Sequence, residues 1–209
     1  ISSASRAIDQ PTVVILTPGV HNSAYFEHAF LARHMGIELV EGRDLVVEDN
    51  KVFMKTTGSH KQVHVIYKRV DDDYCDPLQF IKGSALGVAG LINAARAGNV
   101  AIANAVGNGV GADKLIYSYL PDFIKYYLGE EPKLKSVDTY RLDDPEVRKF
   151  ALENRENLVF KPVDGSGGYG LVIGPHASEK ELEDIGNLIE DDPREYIAQT
   201  VIQRSTSPT

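Results

Sequence analysis

Val13-Val14-Ile15-Leu16 is an unbroken apolar, mostly β-branched run stopped by Thr17-Pro18-Gly19. That is the pattern of a parallel strand buried on both faces and followed by a turn. Asn22-Ser23 then offer N-cap side chains, and Phe26, Ala29, Phe30 and Arg33 keep helical spacing within Ala24–Met35, ahead of Gly36 as a C-cap. With Ile37–Val40 as the next strand, this opening stretch predicts a βαβ unit on a parallel sheet. Leu45–Val47 and Val52–Lys55 flank Glu48-Asp49-Asn50-Lys51 and predict a β-hairpin. Val63–Val70 alternates as one strand and ends at Asp71-Asp72-Asp73, and Leu86–Ala97 predicts a helix closed by Gly98. A short buried strand, Val100–Ala103, leads into glycine-rich Asn104–Gly111.

The second half has its own pattern. Asp113–Leu128 predicts an amphipathic helix interrupted near Pro121 and ended by Gly129. Pro145–Glu153 predicts another, with Asp143 or Asp144 as N-cap, and Ser178–Glu190 a third, with Ser178 and Glu181 as a capping box. Strands are predicted at Leu158–Pro162, Leu171–Ile173 and Tyr196–Ile202, the first two joined as a hairpin by Asp164–Gly170. The lobe boundary is expected between Asn104 and Lys114, and no internal repeat is visible.

Composition narrows the function classes. A net charge of -8 over 209 residues argues against a nucleic-acid-binding surface, which needs clustered Lys and Arg. The single cysteine, Cys75, excludes a disulfide framework within the chain and fits a reducing, cytoplasmic setting. No apolar run approaches the roughly 20 residues that span a membrane, and Ile1–Gln10 lacks the form of a signal peptide. The start without Met is that of an excised segment.

The richest chemistry lies in Phe160-Lys161-Pro162-Val163-Asp164-Gly165-Ser166-Gly167-Gly168-Tyr169-Gly170. Closely spaced glycines between two strands let backbone N–H groups approach a polyphosphate, and Lys161 adds a point charge for phosphate oxygens. A Walker loop would place its lysine after the glycines and lead into a helix, as would a dinucleotide fingerprint, so neither fits. The plain alternative is a hairpin whose glycines serve only the turn. Lys68-Arg69-Val70-Asp71-Asp72-Asp73 is the second cluster. Alternation puts Arg69, Asp71 and Asp73 on one face, where the carboxylates suit Mg²⁺ and Arg69 suits a phosphate or a substrate carboxylate. An exposed acidic strand end is the plain alternative there. The six histidines include no metal-binding pair on one helix; His28 and His34 read as structural or surface residues. The tyrosines at 117, 119, 126 and 127 read as packing.

Several stretches occur together in one order: Thr17-Pro18-Gly19, Asn22–His28, Glu41–Asp44, Tyr67–Asp72, Asp76-Pro77, Arg96–Ala105, Ala112-Asp113-Lys114, Tyr127–Pro132 and Lys161–His176. Together they resemble the circularly permuted ATP-grasp family, distantly related to glutathionylspermidine synthase, over nearly the whole chain. The resemblance implies an α/β fold with mixed α+β elements. A pre-ATP-grasp, metal-side lobe with the βαβ unit would span residues 1–112, and a partial ATP-grasp nucleotide lobe residues 113–209. It implies an ATP-dependent carboxylate–amine ligase acting through an acyl-phosphate, with ATP and Mg²⁺ as cofactors and a small amino acid or peptide as substrate.

By the same resemblance Arg69 is the arginine of the site, Asp71 the metal-binding aspartate and Asn104 the metal-binding asparagine. Lys114 is the first ATP lysine and Lys161 the second. Asp164, Gly165, Ser166, Gly167, Gly168, Tyr169 and Gly170 form the loop over the phosphates, and Ala198 and Gln199 present backbone groups to adenine. The family's metal-binding glutamate falls on Ile102, so Asp73 is expected to substitute. Full-length members continue well past Thr209. The chain therefore reads as a fragment lacking the strands that flank the hinge strand, with an open sheet edge for self-association or a partner protein, and with weak or no ATP binding and no turnover of its own. A non-catalytic interaction module is the competing reading. A Rossmann-like metabolite domain is a third, weakened by a Thr17-Pro18-Gly19-Val20 turn that lacks the glycine triplet.

Overall fold

The computed structural model describes residues 10–165 and 167–202. The chain forms two compact units, Ile1–Gly109 and Val110–Thr209, each with its own core.

In the first unit, β1 (Val13–Leu16), α1 (Tyr25–Met35) and β2 (Glu38–Val40) make the expected βαβ, with Val14 paired to Glu38 in parallel. Two more parallel strands, β6 (Val65–Lys68) and β7 (Ala101–Ala103), complete a sheet of order β2-β1-β6-β7. The hairpin is β3 (Leu45–Glu48) and β4 (Lys51–Lys55), turned at Asp49 and Asn50, both at positive φ. A third antiparallel strand, β5 (His60–Val63), extends it.

The expected single strand Val63–Val70 is thus two strands in two sheets. His64 is the switch: its N–H donates to Thr12 O at 2.9 Å, and its Nδ1 accepts the Thr12 N–H at 3.0 Å. The predicted helix Leu86–Ala97 also shrinks, to α2 (Leu91–Arg96). Its first half is displaced because the buried Asp76 carboxylate takes the N–H groups of Gly90 and Ile92 at 3.1 and 2.9 Å. Gly87 presses onto the backbone of the preceding 3₁₀ turn, Asp72–Tyr74, so closely that a Cβ would stand 2.2 Å from Tyr74 O. Val14, Leu16 and Ile66 of the parallel sheet, Val52 and Val63 of the antiparallel one, and Leu91 and Ala94 of α2 share one core.

In the second unit, α3 (Lys114–Ser118) and α4 (Leu120–Leu128) are the two halves of the helix predicted to break near Pro121. Asp113 caps α3 by accepting the Ile116 N–H at 2.9 Å. Next come β8 (Thr139–Arg141), α5 (Pro145–Glu153), β9 (Leu158–Pro162), β10 (Val172–Ile173), α6 (Glu179–Asp191) and β11 (Tyr196–Thr200). Asp144 caps α5, and the Ser178/Glu181 box caps α6 as expected. The sheet has order β10-β9-β11-β8, antiparallel throughout. One face lays Phe160 and Ala198 against Ile185 and Ile189 of α6.

This topology corrects one expectation. β11 is an interior strand, with β9 on one side and β8 on the other, so its flanking positions are filled and no open edge lies along it. β8 was not foreseen in the sequence, and it occupies the place expected to be open. The edges of this sheet are β10 and β8.

Candidate functional site

Lys161 sits at the penultimate position of β9, opposite Ile197 of β11. The period of two puts it on the face away from Phe160, shared with Gln199 and Thr139. Its Nζ donates to Gln199 Oε1 at 2.6 Å, Gln199 Nε2 donates to Thr139 Oγ1 at 2.8 Å, and Thr139 Oγ1 donates to Val137 O at 2.9 Å.

The loop after β9 is shaped by glycine. Gly167, Gly168 and Gly170 have φ of 66°, 83° and 68°, a region closed to most side chains. Ser166, expected in this loop, lies outside the described residues. Tyr169 projects outward, 84% exposed. The base of the loop is held by Lys114, the first residue of α3. Its Nζ donates to Pro162 O at 2.8 Å, to Val163 O at 3.3 Å and to Gly165 O, and its N–H donates to Val163 O at 3.0 Å. Burial lowers the Lys114 pKa below the ordinary lysine range, opposed by Asp164 and reinforced by the nearby Lys161 charge. Lys161 thus stands near the end of β9, and Lys114 holds the carbonyls where the glycine loop leaves the sheet, near enough for the two charges to interact. Ala198 is fully buried, and both Ala198 and Gln199 lie in ladders on both sides of β11. Their backbones are committed to the sheet rather than offered to a ligand.

The remaining expected residues belong to the first unit, at the carboxyl end of β6. Arg69 continues the ladder by donating its N–H to Leu16 O at 2.8 Å, and its guanidinium pairs with Glu27 of α1 at 2.5 Å. His28, next on α1, is buried and hydrogen-bonded to Thr17 Oγ1 at 2.9 Å. Burial lowers its pKa, and the Arg69 charge lowers it further. Asp71 and Asp73 are exposed.

Asp72 behaves differently from its neighbours. Its Oδ1 lies 2.5 Å from the ammonium of Lys68, whose side chain is only 5% exposed. Its Oδ2 accepts the Gly107 N–H at 2.8 Å. Burial alone would raise the Asp72 pKa, but the hydrogen bond and charge of Lys68, with the N–H groups of Gly107 and Gly109, outweigh it and lower it. In the sequence, the opposite charges of Lys68 and Asp72 at i,i+4 are the only mark of this pair. Thr139 carries none.

Asn104 departs from its expected part. At φ 55° its carboxamide closes on the backbone of Lys68, accepting the N–H at 3.2 Å and donating to the C=O at 2.6 Å. That bracing leaves it ill suited to a metal, and Ile102 packs against the core. Among the described residues no group of three His, Cys, Asp or Glu could hold a metal ion. The two carboxylates of Asp71 and Asp73 do fit the chemistry of Mg²⁺, which takes one or two carboxylates beside substrate phosphates.

A family model for a circularly permuted ATPgrasp matches residues 1–199. The chain belongs to the circularly permuted ATP-grasp family. An uncharacterized protein of Mycobacterium tuberculosis is 58% identical over 208 residues, covering 100% of this chain and 38% of the relative. A Frankia alni protein named putative glutamate–cysteine ligase is 47% identical over 210 residues, covering 100% of this chain and 24% of the relative. This ATP-grasp chain thus spans well under half the length of those relatives. A D-alanyl-alanine synthetase A of Vibrio cholerae superposes with a TM-score of 0.49 at 8% identity, over 94% of this chain and 61% of that one. Among the described residues no helix is long and apolar enough to cross a membrane.

Proposed function

We propose that this chain is the nucleotide- and metal-handling part of an ATP-dependent ligase that joins a carboxylate to an amine through an acyl-phosphate. The observation that carries this reading is the placement of Lys161 at the end of β9 and of Lys114 on the carbonyls of Pro162, Val163 and Gly165, at the base of a glycine loop. Membership of the family and the name of the Frankia relative support it. Residues 113–209 would be the nucleotide lobe and residues 1–112 the metal-side lobe.

In this reading Lys161 neutralises phosphate oxygens, Lys114 joins it by exchanging the carbonyls of Pro162, Val163 and Gly165 for them, and the backbone N–H groups of the 164–170 loop close over them. Arg69 exchanges Glu27 for a phosphate or a substrate carboxylate, which its planar fork grips in bidentate fashion. Asp71 and Asp73 would hold Mg²⁺, whose chemistry is to neutralise charge on the transferring phosphoryl group. The acceptor is an amino acid or small peptide.

The test is calorimetric titration of the protein with ATP and Mg²⁺. Lys161→Ala should weaken binding about 10- to 100-fold, the scale of one hydrogen bond to a charged group. Undiminished affinity in that variant would overturn the assignment. ADP release that depends on both a carboxylate and an amine reads the ligase step.

A second reading, a non-catalytic module that keeps the fold, is favoured by one pair of observations: Ile102 offers no donor, and the Asn104 carboxamide is spent on the Lys68 backbone. ATP binding without turnover would support it.

A further inference from the structure

Three hydrogen bonds run in one direction away from Lys161. The Thr139 hydroxyl has one proton and gives it to Val137 O, so toward Gln199 its oxygen can only accept. Gln199 must then turn its amide nitrogen to Thr139 and its carbonyl oxygen to Lys161. Strand register places the three side chains for this: Gln199 pairs directly with Thr139, and Lys161 pairs with Ile197, two residues from Gln199 on the same face. Such chains reinforce each bond they contain.

The group that meets the ammonium is neutral. A carboxylate there would cancel the Lys161 charge and repel a polyphosphate, whereas the amide orients the lysine and leaves its charge available to an anion. All the ion pairs among the described residues leave Lys161 out. We infer that Gln199 and Thr139 are positioning residues that aim Lys161 at the phosphates of the nucleotide, with Thr139 setting the amide orientation and Gln199 supplying a neutral acceptor. The inference rests on the reading of Lys161 as a phosphate-binding lysine. It gives Gln199 a side-chain role in place of the backbone role expected from the family.

The experiment uses the full protein and two readouts. The first needs no nucleotide: acylation of Lys161 by a water-soluble succinimidyl ester, followed by peptide mass spectrometry, with exposed Lys55 as the internal control. Thr139→Val should raise Lys161 labelling severalfold, and Thr139→Ser, which keeps the hydroxyl, should leave it at the wild-type rate. The second is the ATP dissociation constant, which Gln199→Glu should raise about tenfold while thermal unfolding stays unchanged. Equal labelling in Thr139→Val and wild type, failure of Thr139→Ser to rescue, or full ATP affinity in Gln199→Glu would each overturn the proposal. If the wild-type protein binds no ATP, the ligase reading falls, and labelling alone decides whether Thr139 and Gln199 hold Lys161.

Discussion

At the scale of single residues, the most consequential contact is the Lys68–Asp72 pair. An ammonium side chain only 5% exposed is paired with one carboxylate and donates to Val70 O at 3.1 Å, and removing the charged partner of such a pair leaves a buried charge uncompensated. Asp72→Asn should destabilise the protein by about 2–3 kcal/mol, a discounted figure because Asp72 itself is partly exposed; Lys68→Met combined with Asp72→Leu should recover much of it, as denaturant melts would show. The pH response separates two groups. His28 has a lowered pKa in the fold, so below its unfolded value of about 6.5 the unfolded chain takes up protons that the fold refuses. Stability is full above that pH and falls as pH drops through the window beneath it. Asp72 follows the same sign lower down: its contribution is present above about 3.9 and is lost as pH falls toward its lowered pKa. Urea titrations between pH 7 and 5 should show the slope, and His28→Gln should flatten it. An unchanged slope in that variant would clear His28 of the role. Sequence could place these residues but not pair them. The i,i+4 spacing of Lys68 and Asp72 was readable, yet whether either was buried depends on Gly107, which comes 35 positions after Asp72.

Elements were legible where one local signal sufficed. β9 and α5 lie at the residues expected, because turn and cap chemistry bound them on both sides. The failures share a cause, a distant partner overriding local pattern. Val63–Val70 alternates in the manner of one strand, but Thr12 captures His64 and divides it between two sheets. Leu86–Ala97 has helical spacing, but the Asp76 carboxylate draws Gly90 and Ile92 into a cap and confines the helix to its second half. β8 has three residues and no glycine or proline beside it, so only its pairing with β11 defines it. Asp76 gives the sharpest test at this scale. Its oxygens accept from Leu78, Gly90 and Ile92 at 0% exposure. Asp76→Asn keeps the shape but turns an N–H₂ toward a backbone donor. A loss of about 2 kcal/mol is expected, with weakened hydrogen-exchange protection at Gly90 and Ile92 marking the site. Full protection would mean that the carboxylate is dispensable.

At the scale of the molecule, the second unit separates core from chemistry by the simplest device available, the alternation of strand side chains, whereas the first, whose central parallel strands β1 and β6 are largely buried on both faces, sets its candidate residues beyond the end of β6. Phe160 and Lys161 are neighbours in sequence; one faces α6, and the other faces Gln199. The candidate residues were legible because motif order identified them. Their partners were not, since Thr139 and Glu27 carry no mark of their own. The family resemblance supplied an inventory, and the structure shows which members of it are already engaged. Cys75 is the sole cysteine, fully buried in the first unit, and burial pushes its thiol up to about 11. At neutral pH it is inert until the surrounding structure opens. Its rate of alkylation is therefore a clock for that opening, readable by mass without introducing any label. A ligand that engages the first unit should slow the clock in proportion to one plus the ratio of its concentration to its dissociation constant, about a hundredfold at a hundred times that constant. One that touches only residues 113–209 should leave it running at its own pace.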